Sequence, residues 1–271
     1  MTLPTTHGRR GARTAAGALA LGAALLTAPA ARGATAPAYD LASRLAVLGT
    51  PDTRIGHAGP HQREGGYVAK ILMPVRARVR PGLSPVWRVE PDSMYTGNAT
   101  RLMVLDARYD ADGRAWLDVQ LPIRPNGASG WIPADATLVR HTPWFARIRL
   151  AGRSVSVYRE GRLVKRVRAV VGAPGTPTPR GQFAIYEEAP RPSAKDFLGP
   201  WALHLTAFSD VLTNYGGGPG RVAVHGRGPE SRREAPLGAA ASHGCVRIDN
   251  GPVSWMQRHL DPGTPVRISK R

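Results

Sequence analysis

Short apolar–polar alternations dominate the chain from Gly66 onward. Between Gly66 and His141 the runs "YVAKILMPVRARVR", "RLMVLDARYD", "AWLDVQLPI" and "SGWIPADATLV" have strand length and strand texture. Asp112-Gly113, Pro125-Asn126-Gly127 and Ser129-Gly130 read as the turns that separate them. Even spacing of short strands and turn residues predicts a small all-β barrel or sandwich. A junction with a proline, Thr142 to Trp144, follows. Beyond it "ARIRLAGRSVSVYREGRLVKRVRAVVG" reads as three strands, and "TPTPRGQFAIY" as a proline-stiffened loop that enters another. "WALHL" and "RVAVHG" are two more strands. Val222 and Val224 share one face of the latter, so His225 at its end belongs to the other. One helix stands out, after Cys245. Asp249 or Asn250 can cap it, Pro252 lies in its first turn, and Val253, Met256 and Leu260 fall on one face. "DPGTPVRI" supplies a last strand. The fold class expected is mainly β, in two domains covering 66–141 and 142–271, the second able to fold without the first.

The N-terminus has a different pattern. Arg9, Arg10 and Arg13 precede an uncharged Ala/Leu-rich run from Ala15 to Ala28, and small-residue sites follow at Ala28-Pro29-Ala30 and Ala34-Thr35-Ala36. A charged start, a short apolar stretch and an A-x-A site are the parts of a secretory signal peptide, assigned to residues 1–36. The Arg9-Arg10 pair leaves general and twin-arginine export both open. Residues 37–65, punctuated by Gly and Pro with one short amphipathic stretch at Tyr39 to Leu48, read as a linker. No other stretch approaches the roughly 18 apolar residues of a membrane span. The expectation is a secreted protein of the cell wall with no transmembrane anchor once the signal is cleaved. With a single cysteine it must be stabilised by its core, without a disulfide framework.

Charge narrows the partners. The net charge is +18, and residues 144–271 hold 17 arginines and three lysines against nine acids, a net +11. A field of that sign attracts polyanions and carboxylate-bearing substrates. No helix-turn-helix pattern, Cys/His finger spacing or aromatic-interleaved basic stripe accompanies it, so nucleic acid is not the expected partner. Anionic cell-wall polymers are.

The one cysteine, Cys245, lies in "SHGCVR". A thiol attacks an acyl carbon as thiolate, and therefore needs a base or positive surroundings that lower its pKa. His243 is two residues upstream, His225 ends a strand twenty upstream, and Arg247 is two downstream. Gly244 frees the backbone to aim N–H groups at a developing oxyanion. The positive end of the helix near Asn250 also favours thiolate.

The stretch "RVAVHG…SHGCVR" with its capped helix and "GTPVRI" resembles the catalytic domain of the YkuD-type L,D-transpeptidases, over roughly residues 144–269. "VYREGRLVKRVRAVVG" and "TPTPRGQFAI" match that family too. The resemblance implies peptidoglycan cross-linking: a cysteine attacks the third residue's carbonyl in a tetrapeptide stem, expels the terminal D-alanine, and a second stem's amine resolves the thioester. It also implies roles: Cys245 as nucleophile, His225 as general base, and the Gly226 carbonyl as the group that orients the imidazole. His243, Gly244, Ser242 and the Cys245 amide belong to the oxyanion and positioning loop, and Arg247 holds a stem carboxylate. Neither cofactor nor metal is implied. Residues 227–242, "RGPESRREAPLGAAAS", are longer and more basic than the family pattern, which bears on acceptor preference. Upstream, "WLDVQLPIRPNGASGWIPAD" resembles a bacterial SH3-like domain, which implies a spacer or wall-binding module.

Other readings of the same residues remain. His225, His243, Cys245 and His204 could form a zinc site, although C-x-x-C and H-E-x-x-H spacings are absent. A sortase-like cysteine transpeptidase also places His before Cys and Arg after it. Water in place of an amine would make the protein an L,D-carboxypeptidase, and a non-catalytic wall-binding protein would use the SH3-like domain and basic surface alone.

Overall fold

The expected alternations become strands almost everywhere. The computed structural model describes residue 60 and residues 63–215 and 217–271; the signal segment, the Tyr39 to Leu48 stretch and most of the linker lie outside them. Seven strands come first: β1 (Gly66–Ile71), β2 (Val75–Arg78), β3 (Pro85–Val89), β4 (Arg101–Tyr109), β5 (Ala115–Gln120), β6 (Ser129–Pro133) and β7 (Thr137–Thr142). They form one sheet in the order β3-β2-β6-β5-β4-β1-β7, with every pairing antiparallel. Its core gathers Ile71, Leu102, Leu117, Leu121 and Ile132. Ser129-Gly130, expected as a turn, is instead the start of β6. A Cβ at Gly130 would stand 2.9 Å from the Ala77 Cβ, so glycine is there for close packing.

Ten strands and two helices follow. They are β8 (Trp144–Arg149), β9 (Ser154–Arg159), β10 (Arg162–Arg168), β11 (Val171–Gly172), β12 (Gly181–Pro190), β13 (Trp201–Phe208), β14 (Arg221–His225), β15 (Ala240–Ser242), β16 (Val246–Arg247) and β17 (Pro265–Ser269), with α1 (Pro229–Glu234) and α2 (Asn250–His259). Eight of the strands form a mixed sheet in the order β10-β9-β8-β17-β12-β13-β14-β16, and β11 pairs with β15 separately. Val253, Met256 and Leu260 bury the expected face of α2 among Leu203, Val222 and Val224. Each such side chain removed from water contributes about 1.5–3 kcal/mol. Asp249 takes the N-cap backbone position of α2, with no side-chain capping bond. The helix α1 lies within residues 227–242 and has no counterpart among the elements expected from the sequence.

The two sheets share a built boundary. Tyr186 of β12 is buried in the core of the first sheet. Gln120 of β5 donates to the Gln182 carbonyl at 2.7 Å and accepts from the Thr206 hydroxyl at 2.8 Å; that hydroxyl in turn accepts the Ala184 amide at 3.0 Å. Buried polar groups must find partners, and these find theirs across the boundary. Tyr186 and Thr206 thus take part of their surroundings from the first sheet.

Candidate active site

The mixed sheet ends in two parallel strands, and that pairing brings the motifs together. Val224 of β14 lies opposite Val246 of β16, and His225 opposite Arg247. Cys245, one residue before β16, therefore lies beside Ala223, whose backbone hydrogen-bonds the thiol. On β14 the alternation holds: Val222 and Val224 join the core of the mixed sheet while His225 serves the other face.

His225 is buried, with Nδ1 2.7 Å from the Gly226 carbonyl oxygen. A carbonyl only accepts, so Nδ1 carries the proton and Nε2 keeps its lone pair. Burial first, then the Arg247 and His204 charges, hold the pKa down at about 4; the Gly226 bond and Asp196 oppose them. The imidazole is neutral at neutral pH. Gly226 admits no side chain here, since a Cβ would lie 2.5 Å from Asn250 Oδ1 and 2.9 Å from Pro200 Cδ. Asn250 is a residue the sequence offered only as a helix cap. Its Oδ1 accepts the Arg227 amide at 2.7 Å and so fixes the turn that presents the Gly226 carbonyl.

Cys245 is half-buried and unpaired. Burial pushes its pKa up, against the Ala223 hydrogen bond and the Arg247 charge, which pull it down. The expected depression of the thiol pKa is thus reversed. Desolvation disfavours the charged form of both groups, and the resting pair is thiol and neutral imidazole.

The loop that carries Cys245 is held at several points. Ser242, buried, donates from Oγ to the Cys245 carbonyl at 2.5 Å and accepts the Gly244 amide at 3.2 Å. Gly244 has φ +115°, a region that L side chains rarely adopt. The proline-stiffened loop at 173–178 supplies the rest: Thr178 Oγ1 donates to the Gly244 carbonyl at 2.8 Å and Thr176 Oγ1 to the Ser242 carbonyl at 2.9 Å. Thr176 and Thr178 were visible only as part of the "TPTPRGQFAI" match. His243 is exposed and stacks on Tyr215, with ring centroids 5.3 Å apart and an interplanar angle of 30°.

Arg247 lies inside the fold. Its side chain is buried, pairs with Glu234 of α1 at 2.5 Å and lies over the Phe197 ring at 4.9 Å. Its charge acts on Cys245 and His225. His204 joins neither the thiol nor His243. It stacks at 6.0 Å on Tyr95, in the connection between β3 and β4, with burial and two arginines holding its pKa down at about 4. A cavity of about 630 Å³ opens between Tyr95, His204, Arg221 and Tyr215.

The family model of the YkuD L,D-transpeptidase catalytic domain matches residues 143–268. The YkuD L,D-transpeptidase homologue of Bacillus licheniformis is 31% identical over 166 residues, which are 59% of this chain and 90% of that protein. This chain belongs to the L,D-transpeptidase catalytic domain family. Among solved structures, an L,D-transpeptidase from Mycobacterium smegmatis is similar at 15% identity and TM-score 0.37, over 62% of this chain and 99% of that one. The catalytic domain from the E. faecium L,D-transpeptidase acylated by ertapenem is similar at 18% identity and TM-score 0.35, over 48% of this chain and 99% of that one. The family assignment rests on the sequence matches. The matched stretch starts at Pro143, at the end of β7, and contains every residue of the loop and strand just described.

Proposed function

We propose that this protein is a peptidoglycan L,D-transpeptidase that works through a thioester on Cys245. What carries the reading is the His225 tautomer: Nδ1–H is spent on the Gly226 carbonyl, so Nε2 can take a proton, one strand away from the lone thiol. As Cys245 Sγ bonds to the carbonyl carbon of the stem's third residue, its proton passes to His225 Nε2. The resting pair is neutral, so proton transfer and attack proceed together, and the Arg247 charge favours the sulfur's developing negative charge. The carbonyl oxygen becomes an oxyanion that the Cys245 amide can meet, joined by the Gly244 amide once it leaves the Ser242 hydroxyl. Collapse breaks the bond to D-alanine, and His225 returns the proton to the departing amine. An amine of a second stem then attacks the thioester and gives its proton to His225. A new amide forms and the thiol is restored.

The leader at residues 1–36 supports export to the wall, where such stems lie. Among the described residues no helix is long and apolar enough to cross a membrane. The strand break at Thr142–Trp144 supports the division at 142, and the small antiparallel sheet before it supports the SH3-like reading of 66–141. The test is intact-protein mass after exposure to a disaccharide-tetrapeptide. The expected adduct is the stem minus D-alanine, on the peptide that contains Cys245, with transfer rather than hydrolysis when an acceptor amine is present. Cys245→Ala should give no adduct. Activity in that variant above about a thousandth of wild type would end the nucleophile assignment.

A further inference from the structure

The segment between β13 and β14 closes on itself, since the Ser209 amide donates to the Gly220 carbonyl at 2.8 Å. From it Tyr215 reaches the exposed His243 of the catalytic loop. The groups that hold this segment come from the other sheet. Arg124, between β5 and β6, donates from Nη2 to the carbonyls of Ser209 and Pro219, each at 2.9 Å, and lies within 3.5 Å of the Leu212 carbonyl. One guanidinium thus binds both ends of the closed segment. Its plane also lies 5.0 Å over the Phe208 ring. Two residues on, Asn126 meets the Phe208 backbone in both directions: Oδ1 accepts the amide at 2.8 Å and Nδ2 donates to the carbonyl at 2.7 Å. Nδ2 also reaches Asp210 Oδ1 at 2.9 Å. Gly220 packs so close that a Cβ there would lie 1.7 Å from the Leu212 carbonyl oxygen, so the segment has little room to shift while these bonds last.

From this network we infer that Arg124 and Asn126 of the first sheet are positioning residues of the active site, acting through Tyr215 on His243. The first sheet is then part of the catalytic apparatus, beyond any part it has in binding the wall. Tyr215 and Pro219 also line the cavity shared with Tyr95 of the β3–β4 connection, and the same staple sets that cavity's shape. Given the stem-peptide substrate proposed above, on which this part of the inference rests, the staple acts on how a stem is received and leaves the nucleophile itself untouched. Misplacing a substrate contact by about 1 Å from a remote site is enough to cost up to about 100-fold in rate.

The test has one readout that does not depend on the reaction. In full-length protein with isotope-labelled histidine, the His243 ring signal should carry a ring-current shift that Tyr215→Ala removes. Arg124→Ala should remove it too, and Arg124→Lys should retain most of it. A His243 signal in Arg124→Ala that matches wild type would overturn the inference whatever the enzyme's substrate is. The second readout is kcat/KM for stem acylation. Arg124→Ala and Tyr215→Ala should each lower it roughly 10- to 100-fold, and the double variant should be no worse than the weaker single one. Losses that multiply in the double variant would show that the two residues act independently, and would also overturn it. Should Arg124→Ala fail to fold, Asn126→Ala is read in both assays against the same outcomes.

Discussion

Acylation should survive far into acid. The reacting form needs His225 neutral, and burial holds its pKa down at about 4, where a solvated imidazole titrates near 6.5. At pH 5 a histidine with a pKa of 4 is about 90% neutral, and one at 6.5 only about 3%. The rate at pH 5 thus separates the two cases by about 30-fold. Single-turnover acylation, followed by intact-protein mass from pH 4 to 8, should show its half-maximum near pH 4. Stability moves over the same range and has to be measured beside it. Between pH 6.5 and 4 the folded His225 refuses a proton that the unfolded chain accepts. Its contribution is complete above 6.5 and is lost as pH falls through 4. A depression of that size corresponds to roughly 3 kcal/mol. His204, also at about 4, acts with the same sign. Glu188, pushed up to about 7 by burial, opposes them. It keeps a proton that the unfolded chain has released, so it costs stability as pH rises from about 4.5 to 7. It is less completely buried than His225, so solvent trims its effect, and the two histidines should dominate. Urea melts should show a loss of a few kcal/mol between pH 7 and 4, with Glu188→Gln raising stability at pH 8 more than at pH 4.5. An acylation half-point between pH 6 and 7, on protein still folded there, would refute the buried-neutral account of His225.

Two further outcomes follow from groups that the sequence left unconnected. Glu234→Ala leaves the buried Arg247 guanidinium without its carboxylate. Urea denaturation should register a loss of about 1–3 kcal/mol, below that of a fully buried pair because Glu234 is partly exposed; unchanged stability would mean the pair is idle. A chain starting at residue 142 strips Tyr186 of its core and Thr206 of its Gln120 partner. It should be insoluble or melt at least about 10 °C lower by calorimetry, and a melt at the full-length temperature would show the boundary to be dispensable.

Local pattern determined a good deal of this protein. Alternation every second residue names the face a strand side chain takes, so Val222 and Val224 against His225, and the apolar stripe of α2, were legible from spacing alone. The lone cysteine in "SHGCVR" with a strand-end histidine upstream was legible as chemistry, because those residue types have few other reasons to cluster. What spacing could not supply was distance across the fold. The parallel pairing of β14 with β16, which sets Cys245 beside Ala223 and His225 opposite Arg247, joins segments about twenty residues apart through hydrogen bonds that leave no periodic trace. Ser129-Gly130 reads as a turn until Ala77, on another strand, is found packed against it. Charge state was the least legible of all. Sequence proximity of His, Arg and a helix end argued for a lowered thiol pKa, yet both thiol and imidazole are governed by desolvation, which only the packed structure decides. The same holds for Arg247, a free cation in the sequence and a buried partner of Glu234 in the fold. It holds too for Arg124 and Asn126, whose backbone partners lie more than eighty residues away: hydrogen bonds to carbonyls carry no side-chain signature at the receiving end.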